Sequence, residues 1–428
     1  MQPQGLANAA WALAKMGHED AVFISELLQA ATLQLRRFKP PELANTAWAL
    51  ATMGHVDTAF MGALVQAAMR QLCCFAPQGL ANTAWALATL GHVDTVFMGA
   101  VLEVSCPQLR SFKPQELANT ALALAMLGHV DTAFMCAMLQ VSWSQLRSFT
   151  PQGRANMAWA LATLGRLDAV FMGALLQVAT PQLRSFKPQE LANTAWALAT
   201  LGHVDANFMS ELLHAATRQL RSFNSQNLAN TAWALATMGH VDNDFMCALL
   251  ELSMPQLRSF KPQELANTAW ALATLGHIDT VFMGELLQVV TTLLRTFAVQ
   301  ELANTAWALA ALDEKNAACA AGLIEHAAAS PVDLTPSQLC QLEHLTDDGL
   351  FSIDIALQLP GGQKLAVEVD GPTHFLRNAP IVPNGLRTLL LEARGWRVVS
   401  VPVIEWSRQA ARGSQASHDY LTSLGVCS

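Results

Sequence analysis

Glu-Leu-Ala-Asn-Thr-Ala-Trp-Ala-Leu-Ala-Thr-Leu-Gly-His, residues 190–203, is the stretch whose reading decides the fold. Its tryptophan returns at Trp11, Trp48, Trp85, Trp159, Trp196, Trp233, Trp270 and Trp307. The step is 37 residues throughout, with Leu122 standing in for the tryptophan of the fourth copy. Nine copies in phase without an insertion mean that each unit docks on the last in the same way, which predicts a repeat solenoid.

Working outward, each unit reads as two helices. Proline at the first helical position (Pro40, Pro114, Pro188, Pro262) opens helix A, where no N–H is needed. Apolar residues follow at helical spacing, and a glycine (Gly54, Gly91, Gly128, Gly202) ends the run. An aspartate (Asp57, Asp94, Asp131, Asp205) then caps helix B. Helix B runs through Phe60, Phe97 or Phe208 to motifs such as Leu109–Pro114. The expected fold is mainly α, an α-hairpin solenoid over 1–329.

On a helical wheel centred on Trp196, Leu191, Ala195, Leu198 and Ala199 fall on one side. Gln189, Glu190, Asn193 and Thr200 fall on the other, and nine repeats make of them a polar stripe with Trp196 at its boundary. Asparagine is a poor helix former, yet it fills one phase throughout: Asn8, Asn45, Asn82, Asn119, Asn156, Asn193, Asn230, Asn267 and Asn304. Two readings stand: an amide ladder bonding each repeat to the next, or amides that hydrogen-bond bases along a groove. The tryptophans likewise read as wedges between repeats or as platforms for bases. One helix A phase varies (Gly5, Glu42, Gly79, Glu116, Gly153, Glu190, Asn227), and sequence specificity is expected there. The histidines after the glycine (His18, His55, His92, His129, His203, His240, His277) are too far apart for a shared ion and sit at the negative end of helix A.

The formal charge of −8 argues against a generally basic nucleic-acid binder, but the distribution matters more than the sum. Fourteen of the 18 basic residues before 331 fall in one short phase at the end of helix B. They are Arg36, Arg37, Lys39, Arg70, Arg110, Lys113, Arg147, Arg184, Lys187, Arg218, Arg221, Arg258, Lys261 and Arg295. In a solenoid one phase is one edge. A cationic rail beside an uncharged polar stripe is what single-stranded RNA needs, with phosphates on the rail and bases against the stripe. The competing reading is structural: the glutamates that start the next helix A pair with the arginines.

With 52% apolar and 14% charged residues, disorder is excluded. No apolar run reaches the roughly 18 residues that a membrane span needs. The eight cysteines show no zinc spacing, and buried reduced thiols are expected. No targeting peptide is visible before the first repeat, so the chain reads as a mature form or an incomplete one.

The pattern changes after Ala329. Residues 330–349 read as a linker with a short helix, and from 350 the period becomes two. Phe351–Leu359 and Leu365–Asp370, around Pro360-Gly361-Gly362, form a predicted β-hairpin in which paired numbers sum to 722. That pairing sets Asp354 opposite Glu368, with Asp370 two residues along on the same face. Like charges so placed need an answer: a divalent ion (Mg²⁺ or Mn²⁺) held by Asp354 and Glu368, a protonated carboxyl, or neutralisation by basic side chains such as Arg387 or Arg397. A helix over 384–394 and a strand over 396–403 complete the segment.

The repeat Pro-x-Glu-Leu-Ala-Asn-x-x-Trp-Ala-Leu-Ala-x-Leu-Gly resembles the octotricopeptide repeat of algal and protist organelle proteins, here over 1–312. Glu368-Val369-Asp370-Gly371-Pro372-x-His374-Phe375, with Gly395-Trp396 and Glu405-Trp406, resembles the RAP domain, over 350–425. That small α/β domain is similar to restriction endonucleases and ends many organellar RNA-binding proteins, among them the FAST kinase-like family. The resemblance implies single-stranded organellar RNA as partner, other RNA-processing proteins beside it, and a mitochondrial or chloroplast address. The nuclease pattern Glu-x-Lys reads Glu368-Val369-Asp370, without its lysine. Asp354, Glu368, Asp370 and the candidate base His374 are the candidate catalytic set, and no robust cleavage is expected. The RNA-contacting candidates are Arg36, Arg110, Lys113, Arg147, Arg184, Lys187, Arg221, Arg258, Lys261 and Arg295, with Asn45, Asn82, Asn119, Asn193, Asn230 and Asn267. A protein–protein scaffold and a metal-dependent endoribonuclease are the alternative functions.

Overall fold

The computed structural model describes residues 2–298 except His18, Glu19, Leu167, Val204 and Ile278, and beyond them a few positions of the ninth repeat and five strands. It divides into two compact units, residues 1–253 and 254–428.

The first unit holds seven helix A–helix B pairs. Its A helices are Pro3–Met16, Pro40–Met53, Pro77–Thr89, Pro114–Met126, Pro151–Thr163, Pro188–Thr200 and Ser225–Thr237. Its B helices are Ala21–Thr32, Thr58–Met69, Thr95–Ser105, Thr132–Gln145, Ala169–Ala179, Ala206–Thr217 and Asn243–Ser253. Each A helix packs closely along the next, whereas the backbones of successive B helices stay further apart and meet through long side chains such as Trp143 and Phe171, 6.1 Å between ring centroids. Side-chain size explains the difference. Helix A meets its neighbours through Ala44, Ala47, Ala81 and Ala84, all 1% exposed or less, which lets the backbones approach. The threonine of the same layer (Thr46, Thr83, Thr120, Thr194, Thr231) is buried at no polar cost. Its hydroxyl donates to the carbonyl four residues back, at 2.7–2.8 Å. Helix B contributes Phe60, Met61, Leu64 and their equivalents, and burial of each such side chain stabilises the stack by about 1.5–3 kcal/mol.

The helix boundaries follow the sequence. The glycine that ends helix A is left-handed in all eight described copies, φ 61–64°. At Gly54 two bonds close the helix: Gly54 N–H to Ala51 and His55 N–H to Leu50, 3.2 and 3.0 Å. Asp57, Asp94, Asp131 and Asp205 each accept a backbone N–H from the phenylalanine three residues on, at 2.8–3.0 Å. Helix B, however, does not run to the next proline as one α-helix. It gives way to 3₁₀ turns, three residues long at Leu35–Arg37 and Leu146–Ser148, six at Cys106–Ser111 and Thr180–Ser185. Pro107 and Pro181 cause the early change, because proline removes the α-helical hydrogen bond.

The second unit opens with a 3₁₀ turn (Met254–Ser259), then helix A Pro262–Leu275 and helix B Thr280–Leu293. Five strands follow: β1 Ile355–Gln358, β2 Lys364–Asp370, β3 Phe375–Leu376, β4 Ala379–Pro380 and β5 Trp396–Pro402. Strand β2 is central, antiparallel to β1 and parallel to β5. The hairpin register is the expected one, Ile355 opposite Val367 and Leu357 opposite Leu365. Asp354, His374, Arg387, the linker and the helix expected over 384–394 lie outside the described residues.

Candidate nucleic-acid interface

In a central repeat four positions of helix A after its opening proline reach solvent. In the sixth repeat they are Gln189 and Thr200, exposed, with Asn193 and Trp196, half-buried. The spacing of four, three and four residues puts them in one line along the helix. Trp196 therefore belongs to the stripe rather than to its boundary. Glu190, expected on the stripe, is instead buried.

The asparagine ladder does not form. Asn45, Asn82, Asn119, Asn156, Asn193 and Asn230 are half-buried, and among the described residues none of their amides has a hydrogen-bond partner. Asn267, in the second unit, is the same. Each of these seven amides thus offers a donor and an acceptor group, half-desolvated and unused. The tryptophans do touch: Trp159 to Trp196 is 6.1 Å and Trp196 to Trp233 6.2 Å between centroids, at 31° and 32°. Contact between repeats and a half-exposed ring face are met by the same side chain. At the first repeat Lys15 lies 5.7 Å from the Trp11 ring and 5.1 Å from that of Trp48. At the fourth the stripe turns apolar, with Leu122 half-buried and Met126 exposed.

All fourteen rail residues are exposed. Arg36, Arg110, Lys113, Arg147, Arg184, Lys187 and Arg221 line the helix A N-terminal edge of the first unit. Arg258, Lys261 and Arg295 occupy the same phase in the second. None makes an ion pair among the described residues. The glutamates expected to consume the rail are occupied elsewhere. Glu42, Glu116, Glu190 and Glu264 each fold back to accept the backbone N–H of Lys39, Lys113, Lys187 and Lys261, at 2.7–2.9 Å.

This overturns the specificity reading of the variable phase. Its glutamates are helix caps, not readers of bases. Four of them follow a lysine N-cap, whose side chain has no acceptor, and Glu301 caps Ala298 in the same way, whereas Ala76 before Gly79 has no side-chain cap. Where the N-cap is Thr150 or Asn224, that side chain itself accepts the N–H of Gly153 or Asn227, at 3.1 and 2.9 Å, and no glutamate is needed. Gly79 and Gly153 also lie close under Phe75 and Phe149, where a Cβ would come within 3.1 and 3.2 Å of the ring.

The caps expose an alternation that sequence reasoning missed. Lysine N-caps recur every second repeat, so Lys113 and Lys187 add a charge after Arg110 and Arg184 that Thr150 and Asn224 do not add after Arg147 and Arg221. At the boundaries without the lysine a glutamine bridges the repeats. Gln71, Gln145 and Gln219 donate to the carbonyls of Phe38, Phe112 and Phe186, at 2.8, 3.1 and 2.9 Å. The 74-residue recurrence of Lys39, Lys113, Lys187 and Lys261 was the signal available.

The fifth repeat departs once more. Arg154 stands where the other copies have leucine, and it is 1% exposed. Its guanidinium donates to Gln182 Oε1 (3.0 Å) and the Arg147 carbonyl (3.4 Å), Nε has no partner among the described residues, and burial pulls its pKa down. The five described cysteines, expected buried, are all exposed. Cys136 and Cys247 share the outward phase of helix B that glycine fills in other copies. No group of three His, Cys, Asp or Glu converges among the described residues. Glu368 and Asp370 lie on β2, in register with Ser400 and Pro402 of β5.

Among protein families, residues 1–95 and 164–343 match the Tbc2 translation factor, N-terminal domain. Residues 367–424 match the RAP domain, and residues 109–120 match a family of unknown function. No described helix is long and apolar enough to cross a membrane.

Proposed function

The chain belongs to the family of the Tbc2 translation factor N-terminal domain, and on that premise we propose that its repeats grip single-stranded RNA in organelle gene expression. It is a helical-repeat protein with a RAP domain, and both matches support an RNA-related role. The observation that carries the proposal is the pairing of two unused surfaces. One is an exposed row of cations without ion pairs, and beside it runs a row of half-buried amides without partners. Phosphates meet the first, and bases lie against the asparagines and tryptophans of the second. Because these positions barely change from repeat to repeat, and an amide can pair with an edge of any base, the grip is tolerant of sequence. The RNA so held is processed, stabilised or translated, in a mitochondrion or chloroplast, with the RAP domain adding RNA contacts and other RNA-processing proteins joining.

The test replaces Arg110, Arg147, Arg184, Arg221 and Arg258 with alanine and measures affinity for single-stranded RNA against salt. Each lost phosphate contact flattens the slope of log affinity against log salt by about 0.7, so five flatten it by roughly 3.5. An unchanged slope defeats the proposal and favours a protein-binding scaffold.

A further inference from the structure

The rail has one gap. Where the phase carries arginine at Arg36, Arg110, Arg147 and Arg184, the second repeat carries Cys73, followed by Cys74 and, at the lysine position, Ala76. Both thiols are exposed on the 3₁₀ turn Leu72–Cys74, and their sulfurs are 3.8 Å apart, in S–H···S contact. Arg70 lies three residues before, Arg36, Arg37 and Lys39 one repeat back, and Arg110 and Lys113 one repeat on, all exposed. Repeats that pack about 8–10 Å apart put these charges near one Debye length, roughly 8 Å at physiological salt. The thiol pair therefore sits among exposed cations, which attract an anionic reagent.

We propose that Cys73 is a modification site for small anionic disulfides, and that the adduct weakens RNA binding by placing negative charge in the rail. This rests on the RNA reading above for its second half only. The chemistry is thiol–disulfide exchange: the Cys73 thiolate attacks one sulfur of RS–SR, a Cys73–S–SR bond forms, the S–S bond breaks, and RS⁻ leaves to take a proton from water. Cys73 is the thiol that stands at the arginine position itself, and the contact with it raises the pKa of Cys74. Cys74 does not readily displace the adduct. A disulfide normally spans Cα atoms about 4.4–6.8 Å apart, and neighbouring residues are only about 3.8 Å apart across a trans peptide. The mixed disulfide is consequently the stable oxidised form.

The experiment treats the full chain with oxidised glutathione, an anionic disulfide, and in parallel with cystamine, a cationic one. Adducts are mapped by peptide mass, and RNA affinity is measured at low salt before and after. The glutathione adduct should appear on Cys73 ahead of Cys106, Cys136 and Cys247, and should be absent from Cys73→Ser. Affinity should fall roughly three- to tenfold, the scale of one added charge about 6 Å from two phosphates, and recover on reduction. The cystamine adduct should leave affinity unchanged or higher. Even labelling of all exposed cysteines, or a Cys73–Cys74 disulfide as the main product, overturns the site. Equal losses with both reagents overturn the electrostatic effect. If the reduced chain binds no RNA, the RNA reading falls and the regulatory half with it, while the mass map still tests the site.

Discussion

The boundary at Lys113 and the boundary at Thr150 occupy equivalent places in the fold and solve the same problem differently. At Lys113 the N-cap cannot cap, so Glu116 supplies a carboxylate to its backbone N–H, and the lysine side chain is left free over the rail. At Thr150 the N-cap accepts the N–H of Gly153 itself, the lysine charge is absent, and Gln145 ties the preceding helix B to the Phe112 carbonyl. One boundary exports a charge and the other makes a bond between repeats. The difference teaches that variation in a repeat need not mark recognition: at these boundaries the choice between glutamate and glycine goes with the way the helix start is capped, and the lysine charge goes with the glutamate.

The strongest way to sharpen this comparison is to strip one boundary type of charge. Replacing Lys39, Lys113, Lys187 and Lys261 with alanine should flatten the salt dependence of RNA binding by roughly 2.8, four contacts at about 0.7 each. Circular dichroism and urea unfolding should be unchanged, because the glutamates bond the backbone and not the lysine side chains. A loss of stability in place of a loss of salt dependence would show that these lysines are structural.

Arg154 tests the other boundary, since it donates to Arg147 just before Thr150. Arg154→Leu restores the residue of the other copies and removes a buried charge with an unpartnered Nε. Such replacements are often stabilising by about 1–4 kcal/mol, and a gain near the lower figure is expected in urea unfolding. Destabilisation would mean that the bonds to Gln182 and Arg147 outweigh desolvation.

The caps should prove interchangeable in energy though not in chemistry. Glu190→Ala and Thr150→Ala should each cost about 1 kcal/mol, read as faster hydrogen exchange at the Lys187 and Gly153 amides respectively. If either substitution left its amide protected, the assignment of that cap would fail. The smallest effect separates two glutamines of one phase. Gln219→Ala, which breaks the bond to Phe186, should cost about 0.5–1 kcal/mol. Gln108→Ala should cost only a few tenths, because Gln108 donates within its own repeat, to Val104 four residues back. Equal costs would remove the distinction between the boundaries.

Much of the array was legible because its rules are local. The 37-residue period, the left-handed glycines, the proline starts, the aspartate caps and the register of the 355–358 strand each follow from a few neighbouring residues, and backbone stereochemistry leaves little choice there. The clustering of the rail was legible too, because one phase of a repeat becomes one edge of a stack. Tertiary structure decided whatever depends on which of two partners wins. Glu190 could reach an arginine or its own helix start, and it accepts the Lys187 N–H. Asn193 could bond the next repeat or stay free, and its half-buried amide is left without a partner among the described residues. Periodicity fixes which residues recur together, but only packing in three dimensions fixes which of their hydrogen bonds are already made and which are left for a ligand.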